Sequence, residues 1–252
     1  MTRVIAIIQA RIGSIRLPGK VLKKICEREI LDYVISRVKK SKKIDEVIVA
    51  TSTLKKDDVI NDFCLKKNCV VFRGSEIDVL DRFYQCAKKH SGDIIVRLTA
   101  DCPLVDWNVI DYYIDYYLNN DIDYVVNSWF KNAYPSGFDV EVFSFDTLER
   151  YWKYEKDVSK REHVCSYIKE HKEMFKYSQH SNIKNTIKYN HNYLHLSIDT
   201  KKDYLLVKNI LEHFEGDENI TFQQIMNYIP DKMIFINIDK ERHKKIKEIK
   251  NL

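Results

Sequence analysis

A chain of 252 residues with 44% apolar side chains can bury one large core, and one domain over residues 1–252 is expected. Its 42 basic and 37 acidic residues leave a net charge of +5, spread as lysines over polar helix faces, which argues against nucleic acid as the partner. Six cysteines with no CxxC pair, and an N-terminal apolar run that Gln9 and Arg11 soon interrupt, argue against a zinc knuckle, a secreted disulfide framework, a signal peptide or a membrane span. A cytoplasmic protein is expected.

The first element is the apolar run VIAII (4–8), and EVIVATS (46–52), CVVF (69–72) and DIIVRLT (93–99) repeat its character. Continuous apolar runs of this length suit strands covered on both faces. Between them, Ile30, Leu31, Val34, Ile35 and Val38 recur at helical spacing, as do Val59, Ile60, Phe63 and Cys64, and then Val79, Leu80, Phe83, Tyr84 and Ala87. Strand alternating with helix predicts a doubly wound parallel sheet. After Asp101 the rhythm changes: a helix over 105–118, a strand at DYVVNS (123–128), and then YPSGFDVEVFSF (134–145), which reads as a hairpin or projecting arm. A helical stretch over 159–171, a polar segment over 179–192, the strand-like LHLSID (194–199), helices over 201–214 and 221–228, a strand MIFIN (233–237) and a charged tail follow.

The stretch QARIGSIRLPGK (9–20) places Arg11, Arg16 and Lys20 on a loop punctuated by Gly13, Pro18 and Gly19. A strand feeding such a loop can cradle an anion through close backbone approach and charge-assisted hydrogen bonds. It is not a Walker A loop, because five residues separate Gly13 from Gly19-Lys20 and Val21 follows, and GxGxxG is absent. In an open parallel sheet, ligands sit beyond the carboxyl ends of the strands. There the loop, Thr51 and Ser52, and Thr99 and Asp101 are expected to converge.

RIGSIRLPGK, VIVATS, FRGSEIDVLDRF, IVRLTADCPLVD, SGFDVEVF, REHV and LSIDTKKDY, in that order, resemble the cytidylyltransferases of the spore coat polysaccharide type, relatives of the 3-deoxy-manno-octulosonate and acylneuraminate cytidylyltransferases. The resemblance implies a Rossmann-like α/β nucleotidyltransferase fold: a mostly parallel central sheet, helices on both faces and a projecting β arm. It also implies CTP, Mg²⁺ and release of pyrophosphate. Residues 1–120 would form the nucleotide-binding half, and 121–252 would carry the acceptor and dimer arm. Arg11, Arg16 and Lys20 would bind the triphosphate with the backbone near Gly13 and Ser14, and Asp101 and Asp199 resemble the family's two metal carboxylates. Arg82 would reach the nucleotide, with Thr51, Ser52, Arg97 and Thr99 near the same pocket.

For the acceptor, Gly137, Asp139 and Glu141 on the arm and Arg161, Glu162 and His163 after it form a mixed cluster suited to an anionic, hydroxylated small molecule. Phe138, Val140, Val142 and Phe143 would stay exposed on such an arm unless a second subunit covered them, so a homodimer is expected. Thr99, Ala100 and Cys102 around Asp101 depart from the octulosonate pattern, and IRLPGK departs from the acylneuraminate loop. The acceptor is left open between a 2-keto sugar acid and a phosphorylated polyol or acid. Two other readings are a glycosyltransferase with Asp121-Ile122-Asp123 as its DxD motif and a noncatalytic nucleotide-binding protein. His191 and His195 have HxxxH spacing but no HExxH pattern, and read as a loop residue and a strand residue.

Overall fold

In the computed structural model, β1 (Val4–Gln9) is an interior strand of the sheet and is followed by the cationic loop. Next come a short ribbon of β2 (Lys24–Ile25) and β3 (Arg28–Glu29), then α1 (Ile30–Val38), β4 (Glu46–Ser52), α2 (Asp58–Lys66), β5 (Val70–Gly74), α3 (Val79–Lys89) and β6 (Ile94–Thr99). The second half adds α4 (Trp107–Leu118), β7 (Tyr124–Val126), β8 (Glu141–Ser144), α5 (Phe145–Tyr154), β9 (Tyr177–Gln179), α6 (Lys201–His213) and α7 (Phe222–Tyr228). The structure describes residues 2–128 and 134–229, except 163, 166, 167, 169, 172 and 183–193.

The seven-stranded sheet has the order β5-β4-β1-β6-β8-β7-β9. β5, β4, β1 and β6 run parallel, as their apolar runs predict, while β8 is antiparallel to both β6 and β7. Alternate residues of β1 feed two cores. Val4, Ala6 and Ile8 pack with α1, α2, α4, α6 and α7, whereas Ile5 and Ile7 pack with α3 and α5. Burial on both faces is why the central strands carry no polar alternation.

Two expectations are corrected. Residues 134–145 do not project: β8 is a sheet strand, and Phe138, Val140, Val142 and Phe143 are at most 1% exposed. Their own chain buries them, which removes the reason given for a covering subunit. LHLSID is no ladder strand either. It is extended, with Leu194, Leu196 and Ile198 buried, but its strand pairing among the described residues is an isolated bridge from His195 to Ser136. The helix expected over 159–171 includes residues outside the described set; of its described residues, 159–162, 164 and 165 form turns, whereas 168 and 170 are helical. The strand over 233–237 and the tail lie outside the described residues.

Candidate active site

The register of the sheet brings the carboxyl ends together, because Gln9 of β1 lies beside Thr99 of β6 and Ala50 of β4. From there the chain turns into the loop. The Ile12 amide donates to Asp57 Oδ1 at 2.8 Å, and Ser52 Oγ donates to the other oxygen of the same buried carboxylate. Asp57 thus fastens the start of the loop to the end of β4. The loop closes where the Gly19 amide reaches Ile12 O at 3.2 Å, with Gly19 at φ 66°, a conformation that glycine adopts without a Cβ penalty. Lys20 follows and points back under the loop.

A cavity of about 620 Å³ opens here. From the loop it is lined by Arg11, Gly13, Ser14, Arg16 and Lys20. From the sheet ends and the second half, Gln9, Thr99, Asp101, Glu162 and Asp199 line it. Lys20 Nζ donates to Asp101 Oδ2 at 2.6 Å and to Asp199 Oδ1 at 3.0 Å, and Arg16 reaches Asp199 Oδ1 at 3.2 Å. Arg11 pairs with Glu162 at 3.1 Å. Burial alone would lower the Lys20 ammonium, but the two carboxylates raise it above its ordinary range. Burial alone would raise Asp199, yet hydrogen bonds from His195 and Lys20 and the charge of Arg16 hold it well below the usual carboxylate range.

Asp199 is available for this because it does not cap the helix that follows. Thr200 is the N-cap of α6 and forms a capping box with Asp203, whose Oδ2 also accepts the Asp199 amide at 3.2 Å. Asp101 sits in a turn, as its Cys-Pro context predicts, and its carboxylate still faces the cavity. Two carboxylates that converge on one ammonium also suit a divalent cation with hard oxygen ligands. Among the described residues no cluster of three or more His, Cys, Asp or Glu could hold a metal, so such an ion would need ligand oxygens to complete its shell.

The other expected residues lie outside the cavity wall. Thr51 is fully buried, and its Oγ1 has no partner among the described residues. Arg82 is fully buried: Nη1 donates to Ser75 O at 2.5 Å, Nε and Nη2 have no partner among the described residues, and burial lowers the guanidinium below its ordinary value. Arg97 pairs with Glu141 at 2.9 Å across β6 and β8. Gly137, at φ 108°, packs where an added Cβ would meet the Leu196 carbonyl carbon at 2.6 Å, and Asp139 Oδ2 accepts the Gly137 amide at 2.9 Å. Arg161 is turned inward, donating to Asp78 at 2.8 Å and to the carbonyls of Trp152 and Glu155 at 3.1 and 2.8 Å. The fold thus engages its Nε and Nη1 donors, and Arg161 does not line the cavity where the acceptor was expected to meet it. Glu162 is the acceptor candidate that does line the cavity, and His163 lies outside the described residues.

Asp121 pairs with Lys176, and Asp123 accepts the Lys176 amide at 2.8 Å and pairs with Arg150 at 3.4 Å; neither lines the cavity, so no DxD site forms there. His191 is outside the described residues, whereas His195 Nε2 stands 3.4 Å from Asp199 Oδ2 and 3.0 Å from Ser197 Oγ. Gln9, Asp57 and His195 are site residues that sequence reasoning passed over. Gln9 carried a usable signal, since it ends the first parallel strand just as Thr99 ends the fourth.

A cationic loop after the first strand of a doubly wound sheet, facing carboxylates from the turn after β6 and from the second half, defines a nucleotidyltransferase. The chain belongs to the cytidylyltransferase family, whose model matches residues 5–247. It is 41% identical to the uncharacterized protein MJ1063 of Methanocaldococcus jannaschii, over 98% of this chain and 99% of that one. It is 34% identical to the spore coat polysaccharide biosynthesis protein SpsF of Bacillus subtilis, over 84% of this chain and 88% of that one. A solved cytidylyltransferase from Leptospira borgpetersenii serovar Hardjo-bovis is 32% identical with a TM-score of 0.86, covering 95% of this chain and 98% of that chain. No helix among the described residues is long and apolar enough to cross a membrane.

Proposed function

We propose that this cytidylyltransferase moves CMP from CTP to an anionic small molecule, a sugar acid or a phosphorylated polyol or acid, and releases pyrophosphate. The observation that carries the reading is Lys20, which bridges Asp101 and Asp199 in the cavity that Arg11 and Arg16 also line. In the reaction an acceptor oxygen bonds to the α-phosphorus and the bond to pyrophosphate breaks, so charge on the leaving oxygens must be met by fixed cations. Arg11, Arg16 and Lys20 supply them by exchanging their present carboxylate partners for phosphate oxygens. Arg82, whose Nε and Nη2 have no partner among the described residues, serves the nucleoside. Glu162, released from Arg11, is left to bind an acceptor hydroxyl.

Asp101 and Asp199 would hold Mg²⁺, which when bound withdraws charge from the phosphate oxygens. The likeness to SpsF supports a place in surface polysaccharide synthesis. The test is incubation with each NTP, Mg²⁺ and a panel of 2-keto sugar acids and phosphorylated polyols, with pyrophosphate as the readout. CTP-selective release that falls at least about 100-fold in Asp101→Asn and Asp199→Asn is expected. Full turnover in both variants, or release that no acceptor stimulates, would overturn the reading.

A further inference from the structure

Arg97 and Glu141 were expected to touch substrates, yet they face each other across two strands of the sheet, and the consequence falls on Gln9. Arg97 of β6 lies opposite Ile7 of β1 on one side and Glu141 of β8 on the other. Two residues beyond Ile7 on the same face, Gln9 is its diagonal neighbour, within reach of a long side chain. Arg97 Nη1 donates to Glu141 Oε2 at 2.9 Å, and Nη2 donates to Gln9 Oε1 at 3.3 Å. The ion pair is held away from water, with side chains 18% and 6% exposed.

A guanidinium has five donors and no acceptor, so the atom of Gln9 that meets it must be the carbonyl oxygen. That assignment fixes the carboxamide. Its Nε2 is turned away from Arg97, no acceptor among the described residues takes its protons, and Gln9 itself lines the cavity beside Thr99 and Asp101. We propose that Gln9 is a substrate-contacting residue that presents an oriented, uncharged N–H donor to an oxygen of the bound nucleotide or acceptor, with Arg97 and Glu141 as its positioning residues. The inference rests on the cytidylyl-transfer reading above, in which every ligand of this cavity is rich in accepting oxygens. A neutral donor there adds a directional contact without another cation competing for Asp101 or Asp199.

The test compares wild type, Gln9→Glu, Gln9→Leu and Glu141→Gln. Titration calorimetry measures CTP with Mg²⁺ and, separately, inorganic pyrophosphate; steady-state kinetics give KM for the best acceptor of the panel. Gln9→Glu keeps an oxygen for Arg97 but turns a second one toward the ligand, so affinity for one ligand should fall about 10-fold or more, and about 5-fold in Gln9→Leu. A loss shared by CTP and pyrophosphate places the contact on phosphate, a loss for CTP alone on the nucleoside, and a rise in acceptor KM alone on the acceptor. Glu141→Gln should weaken the same ligand, and combining it with Gln9→Leu should add nothing further, which a purely structural ion pair would not give. Unchanged affinities and KM in both Gln9 variants would overturn the inference and leave the wider reading intact. A wild-type chain that binds neither CTP nor pyrophosphate would overturn both, and Gln9→Leu keeps the test open if the buried charge of Gln9→Glu prevents folding.

Discussion

Lys20 Nζ stands 3.0 Å from Asp199 Oδ1, although 179 positions of chain separate the two residues. The lysine comes from the loop after the first strand, and the aspartate from an extended segment that is bridged to Ser136 and whose Ile198 amide donates to Asp101 O at 2.8 Å. One ammonium, 11% exposed at its side chain, therefore ties the loop to both carboxylates of the site.

Replacing that ammonium tests its role. Lys20→Met should weaken CTP binding by roughly 1.5–3 kcal/mol, the usual range for a charge-assisted contact. The Asp199 carboxyl should also move back up, because a nearby Asp101 carboxylate then has no shared counter-ion. Calorimetric titration of CTP into the variant checks the first, and carboxyl NMR titration the second.

Arg161→Ala should act on stability and leave both substrate KM values alone. The guanidinium joins Asp78 at the start of α3 to the carbonyls of Trp152 and Glu155, and its removal takes a donor from one buried and two part-buried acceptors. A loss of about 2–3 kcal/mol in urea unfolding is expected. A selective rise in acceptor KM would return Arg161 to the cavity.

Acid should weaken the fold in part through Glu218. Burial alone would raise this carboxyl, but Arg28 at 2.5 Å and Lys40 at 3.0 Å bring it down from 4.5 to about 2. A depressed folded-state value means that its stabilisation is complete above pH 4.5 and is lost as pH falls toward 2. Wild type should therefore lose more stability than Glu218→Gln between about pH 5 and about pH 2.5, from above that window to near its lower end. Urea midpoints at both settings measure the difference.

Gly137→Ala should strain the bridge that carries Asp199. At φ 108° a side chain is disfavoured, and the new methyl would lie 2.6 Å from the Leu196 carbonyl carbon. A cost of about 1–3 kcal/mol is expected, together with slower turnover because the backbone leading to Asp199 must shift. Unfolding curves and pyrophosphate release measured on the same preparation check both.

The parallel half of the fold was legible because β1, β4 and β6 are buried on both faces and say so in unbroken apolar runs. The cationic loop was legible for a similar reason, since its glycines and charges are local. What the sequence hid is pairing at long range. Turn residues and alternation made residues 134–145 look like a projecting arm, whereas they enter the sheet and the charge of Glu141 is matched by Arg97 on the neighbouring strand. Arg-Glu-His at 161–163 resembles any surface stretch, and nothing local announces that Asp78 and two carbonyls wait for Arg161. LHLSID alternates as a strand should, but the neighbour it meets offers one bridge at Ser136 and no ladder.

Arg11, Arg16 and Lys20 each have a carboxylate partner already. Entry of a triphosphate is thus a trade of internal counter-ions for external ones. Added electrolyte screens both sides of the trade, weakening the contacts to phosphate and also the contacts that phosphate must displace. Affinity for CTP should therefore decline with ionic strength less steeply than three unpaired cations would require, and the cavity remains usable across a wider range of salt than its charge alone suggests.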